Sequence, residues 1–191
     1  MTPPTLSTSK ITGVALPHTH LITIAITFAH TYLTTHSYNH VMRSFLFSSI
    51  IAAAHPDYGT LDQEVIALST ILHDVSWSGK GEFSSKDNRH EVNSAITARD
   101  FVRQQTGNEE GRDGRNGWDK HRLQLLWNAI ALHGIESIWR YKEPEVVVVG
   151  MGISADFTGP GSTPHGLPTQ EQRDAVEEKY PRLGLTECGM V

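Results

Sequence analysis

The residues in this chain best suited to chemistry are His73 and Asp74, adjacent in Leu72-His73-Asp74-Val75 within an otherwise apolar helical pattern. Consecutive side chains on a helix diverge by about 100°. Even so, a long imidazole and a short carboxylate can converge on one ion in front of the helix. Imidazole with carboxylate suits zinc or iron(II), and neither group is buried cheaply without a partner. The dipeptide alone more commonly marks a hydrogen-bonded core histidine than a ligand pair. Two further residues extend the set. His40 stands in Tyr38-Asn39-His40-Val41-Met42-Arg43, and Asp156 in Gly152-Ile153-Ser154-Ala155-Asp156-Phe157. Taken singly, His40 reads as a core histidine and Asp156 as a helix-end carboxylate. Together with His73 and Asp74 they offer two nitrogens and two oxygens from three helices, leaving room for water on an ion, as catalytic sites require.

The elements that must position these residues read as helices. Leu21, Ile24, Ala25, Phe28 and Tyr32 recur at three- and four-residue intervals. A second helix is predicted from Tyr38 to about Ala54, ending before His55-Pro56. Thr60-Leu61-Asp62-Gln63 reads as a capping box opening a third helix, with Val65, Leu68, Leu72 and Val75 on one stripe. A fourth is predicted over about Arg89 to Gln105 and a fifth over about Asp119 to His133. The run Val146 to Val149 favours a strand by propensity, but Pro144 and the Val149, Ile153, Asp156 spacing favour a helix. Thr169-Gln170-Glu171-Gln172 opens a short last helix. Residues 1–18, rich in Pro, Thr and Ser, are expected to form an arm, and 19–191 one all-α domain.

Composition narrows the function classes. The 191 residues carry a net charge of -5, without the basic stripe a nucleic-acid or anionic-membrane partner would need. The one cysteine, Cys188, excludes an intramolecular disulfide framework and fits a reducing, cytoplasmic setting. No apolar run reaches the roughly 18–20 residues that span a bilayer. The partner expected is a small-molecule substrate. The apolar stretch Leu21 to Phe28 could also serve a homo-oligomer contact.

The order His…His-Asp…Asp on consecutive helices resembles the HD-domain superfamily of all-helical metal-dependent phosphohydrolases and their relatives. Tyr38-Asn39-His40, Leu72-His73-Asp74, Arg89-His90-Glu91-Val92-Asn93, Ala98-Arg99-Asp100-Phe101, Trp127-Asn128-Ala129-Ile130-Ala131-Leu132-His133 and Gly152 to Phe157 resemble its cyanamide hydratase-like branch, over roughly residues 36–161. That branch has Phe where this chain has His90 and Ser where it has Val41.

The resemblance implies an HD-type helical bundle binding one divalent metal, zinc or else iron(II), through His40, His73, Asp74 and Asp156. It implies addition of an activated water to a small nitrile such as cyanamide, giving urea. His133, at the inner end of the face Leu126, Ile130, His133, is the candidate for orienting substrate or moving a proton. Asn39 and His90 are candidate site-lining residues. Lys80, in the loop after the metal helix, is either a cover for the site or an exposed loop lysine. Arg43 reads as the structural partner of a carboxylate.

Three alternatives stay open. One is a metal-dependent phosphohydrolase acting on a small phosphate monoester or nucleotide, which needs cations to hold the phosphate. The second is a dinuclear site, as in di-iron HD oxygenases, with His90 and His133 holding a second ion. The third is a binding module without turnover.

Overall fold

The computed structural model describes residues 5–9, 11–56, 60–77, 83–107, 117–161, 163 and 166–183. Among the described residues eight helices form an all-α bundle, the class that the apolar periodicity predicts: α1 (His20–Tyr32), α2 (Thr35–Ala54), α3 (Gln63–Leu72), α4 (His90–Thr106), α5 (Lys120–Leu132), α6 (Glu136–Trp139), α7 (Pro144–Thr158) and α8 (Gln170–Lys179). The expected N-terminal arm instead contains a hairpin, β1 (Thr5–Thr8) antiparallel to β2 (Ala15–His18), and β2 lies against α1, α2 and α3. Among the described residues, no helix is long and apolar enough to cross a membrane.

Local chemistry explains most boundaries. Thr19, Thr34, Asp62 and Asp119 each accept a hydrogen bond from a backbone N–H in the first turn of the helix they precede. Thr169 and Gln172 close the expected capping box of α8. The predicted start of α3 is corrected: its cap is Asp62, not Thr60. The end of α3 also differs. The helix stops at Leu72, so His73 and Asp74 sit in the turn that closes it rather than along its side. The Val146–Val149 run is helical, with Pro144 in the first turn. The valines are mostly buried, and packing on α2 and α5 overrides their β propensity.

Two arrangements position the site. The first is the pairing of α3 with α5. Arg122 binds Asp62 (Nε–Oδ2 2.5 Å) and Glu64 (Nη2–Oε2 2.9 Å), and the Trp118 indole donates to Glu64. These contacts pin the N-terminal ends of α3 and α5 together. At their other ends the His73 and His133 rings lie 4.9 Å apart, so the two helices run side by side in the same direction.

The second is the α2–α7 crossing, the most extensive helix contact in the fold. His40 meets Asp156, whereas Ser48 meets Val148 and Gly152, so these helices run in opposite directions. A Cβ on Gly152 would lie 1.9 Å from Ser48 Oγ and under 3 Å from the Ser48 backbone (N 2.7 Å, Cα 2.8 Å). Gly152 is therefore there for close approach of two backbones. Gly152→Ala is expected to destabilise the protein by about 1–3 kcal/mol or more, since backbone cannot swing aside. The check is a fall in the denaturant midpoint at unchanged slope.

Candidate metal centre

Three histidines are locked by their Nδ1 atoms. His73 Nδ1 lies 2.8 Å from the Thr70 carbonyl, and His133 Nδ1 lies 2.7 Å from the Ile130 carbonyl. Each is the carbonyl three residues back in the helix that the histidine terminates. A carbonyl only accepts, so both Nδ1 atoms carry the hydrogen. His40 Nδ1 lies 2.7 Å from Asp156 Oδ2, and an ionised carboxylate likewise only accepts. In the neutral rings all three Nε2 atoms are therefore bare lone pairs.

Those lone pairs converge. His40 Nε2 and His73 Nε2 are 3.1 Å apart, and they stand 3.7 Å and 3.6 Å from Asp74 Oδ2. Two facing lone pairs at that distance repel unless a proton or a cation lies between them. Burial pushes the His73 imidazole down to about 3, against the opposing pull of Asp74, so a proton is poorly held there. Donors 2.0–2.2 Å from a tetrahedral ion stand about 3.3–3.6 Å from one another, close to the spacings here. The C-terminal ends of α3 and α5 both face the cluster, and their partial negative charge also favours a cation. The residues present thus fit a divalent metal ion.

His40, His73 and Asp74 form one group of potential ligand atoms lying within 4.8 Å of one another, and Asp74, His90 and His133 form a second. Asp74 belongs to both. Burial opposes its ionisation, but the surrounding imidazoles, His73 foremost, hold its carboxyl below the usual range. Burial lowers His133 as well, with Asp74 pulling the other way.

Asp156, expected among the ligands, stands one step behind them and belongs to neither group. It is fully buried, and both its oxygens are engaged. Arg43 Nε donates to Oδ1 (2.8 Å) and Arg43 Nη2 to Oδ2 (2.7 Å), while Oδ2 also accepts from His40. Hydrogen bonds from His40 and Arg43 overcome burial and hold this carboxyl well below its ordinary value. Asp156 therefore fixes the ring of His40, as carboxylates behind metal-binding histidines do. Arg43 is the carboxylate partner that its position suggested.

The remaining expected residues separate. His90, one third exposed, stacks edge-on with Trp77 (4.5 Å between centroids) and joins the second group. Asn39 is buried and donates from Nδ2 to the Pro181 carbonyl at 2.8 Å, so it holds a backbone segment. Lys80 lies outside the described residues. Two exposed aromatics adjoin the cluster: Trp77 beside His90, and Phe157 with its ring 4.9 Å from that of His40. Neither was singled out from sequence, where a lone aromatic carries no periodic signal.

These groups make stability acid-sensitive. Burial pushes His73 down to about 3 in the folded protein from its ordinary value near 6.5, so between those values the unfolded chain binds more protons. Stability of the metal-free protein is then expected to fall as pH drops from about 6.5 toward 3, by up to about 1.4 kcal/mol per pH unit for each such group. His133, lowered in the same direction, adds to the loss below pH 6.5. Asp156 adds to it further once its unfolded value, near 3.9, is passed. Thermal unfolding with chelator present at pH 7.5 and pH 5 checks this, and an unchanged midpoint would contradict it.

Comparison with known protein families and with curated proteins finds no match for the chain.

Proposed function

We propose that this protein is a metal-dependent hydratase that adds water to a small nitrile such as cyanamide, yielding urea. The observation that carries the metal requirement is the facing pair of bare Nε2 atoms on His40 and His73 beside Asp74. Bound there, zinc or iron(II) would supply Lewis acidity and a water acidified toward neutrality.

The chain's own residues supply the rest. His133, neutral and held at Nδ1 by Ile130, presents Nε2 toward Asp74 and can take a proton from water and return it to the nitrile nitrogen. Atoms balance: the water oxygen bonds to the nitrile carbon and both hydrogens end on nitrogen. Asp156 and Thr70 keep His40 and His73 oriented. Trp77 and Phe157 provide apolar flanks suited to a small neutral molecule.

Two features support a nitrile over a phosphate ester. Arg43 is already committed to Asp156 and Arg89 to Glu91, so neither presents a free fork to a phosphate. The Trp127 to His133 segment, the more specific part of the resemblance, is similar to the hydratase-like branch. Incubation of zinc- and iron-loaded protein with cyanamide, followed by a urea assay, tests the reading beside a panel of nucleoside monophosphates. Release of phosphate without urea would overturn it.

The second group of ligand atoms favours a specific variant of this reading. With Asp74 shared between them, His90 and His133 complete a second set on the exposed side of the first. Two ions per chain, one of them lost in His90→Ala, would identify a dinuclear centre and make His133 a ligand rather than a proton carrier.

A further inference from the structure

The segment following α8 is tied to the back of the candidate metal centre. Asn39 donates to the Pro181 carbonyl at 2.8 Å, and Arg43 Nη1 donates to the carbonyls of Tyr180 (3.0 Å) and Pro181 (3.2 Å). Arg182 completes the connection in the opposite sense. Its Nη2 donates to Asp156 twice, at Oδ1 (3.0 Å) and at the backbone carbonyl (2.5 Å), while Nε donates to Glu177 Oε1 at 3.0 Å. Asp156 Oδ1 is thus held by Arg43 from α2 and by Arg182 from beyond α8, leaving Oδ2 for His40 and the second arm of Arg43. Nothing in the local sequence around Arg182 singles it out.

We infer that Arg182 is a positioning residue of the metal centre: it holds Asp156 from the segment beyond α8, and so fixes the direction in which His40 presents Nε2. The inference rests on the reading of His40 as a metal ligand. A carboxylate gripped by one guanidinium can still rock about that fork. A second guanidinium, itself fixed by Glu177 on α8, removes that freedom. Partners behind a ligand commonly set metal affinity over a 10–100-fold range. Coupling of this kind is reciprocal, so an ion that fixes His40 also steadies Arg182 and the chain around it.

The experiment uses the full chain and zinc alone as the probe, in two measurements. Zinc affinity by chelator competition is compared for wild type, Arg182→Met and Arg182→Lys. Arg182→Met is expected to bind about tenfold more weakly, with a substantial part of the loss recovered in Arg182→Lys, which restores one charged donor. Trypsin cleavage of wild type after Arg182, relative to cleavage after Arg140 at the C-terminal cap of α6, is expected to slow severalfold on adding zinc. Affinity unchanged in Arg182→Met, with only the melting temperature lowered, would overturn the inference, as would a cleavage ratio indifferent to zinc. Wild type binding no zinc would overturn the ligand reading itself, which distinguishes the two failures.

Discussion

Asp74→Ala is expected to empty the centre completely, whereas His40→Ala and His90→Ala each remove only part of it. Asp74 is common to both ligand groups, and His40 and His90 each belong to one. Losing a direct ligand exceeds the loss of an outer partner, so metal affinity should fall by more than 100-fold, or about 2.7 kcal/mol. His73→Ala should match this at the first group, because it removes both an Nε2 donor and the ring held by Thr70. Elemental analysis and chelator competition on folded variants provide the check. A stoichiometric ion retained by both Asp74→Ala and His73→Ala would sink the metal reading and the hydratase with it.

The second large effect concerns stability. Arg43→Met leaves Asp156 buried without its two closest cationic donors, since both bonds come from one guanidinium. Breaking a buried ion pair from one side costs about 3–5 kcal/mol, because the remaining charge is stranded. The same change removes the Arg43 donor from the carbonyls of Tyr180 and Pro181, of which Pro181 keeps its bond from Asn39. Replacing both partners, Arg43→Met with Asp156→Leu, should cost less than the two single changes added together. Denaturant midpoints of the two singles and the double measure this coupling. A cost below about 1 kcal/mol for Arg43→Met would show that Arg182 and His40 suffice to hold the carboxylate.

Which of these features could be read from sequence follows from how local their causes are. Helix periodicity placed α1 to α5 and α8 within a few residues, because an apolar stripe and a capping side chain lie within one or two turns of chain. The placement of His73, Asp74 and His133 near the ends of α3 and α5 was legible for the same reason. The partners of Asp156 were not all legible, since they include Arg43, 113 residues away, and Arg182. The N-terminal hairpin was missed because its Pro- and Thr-rich strands show no clean alternation. The end of α3 was misplaced because Val75 continues the apolar stripe after the helix has closed, and it is buried all the same.

The manner in which the three histidines are held has a consequence for assembly. His73 and His133 each lean on a carbonyl three residues back, so their rings are set once their own last turn has formed. The ring of His40 depends on a carboxylate 116 positions along the chain. Closing so long a loop is slow compared with forming a turn of helix. Two imidazoles of the candidate site are therefore set by contacts within one turn of chain, and the third is aimed only by the docking of α7 on α2.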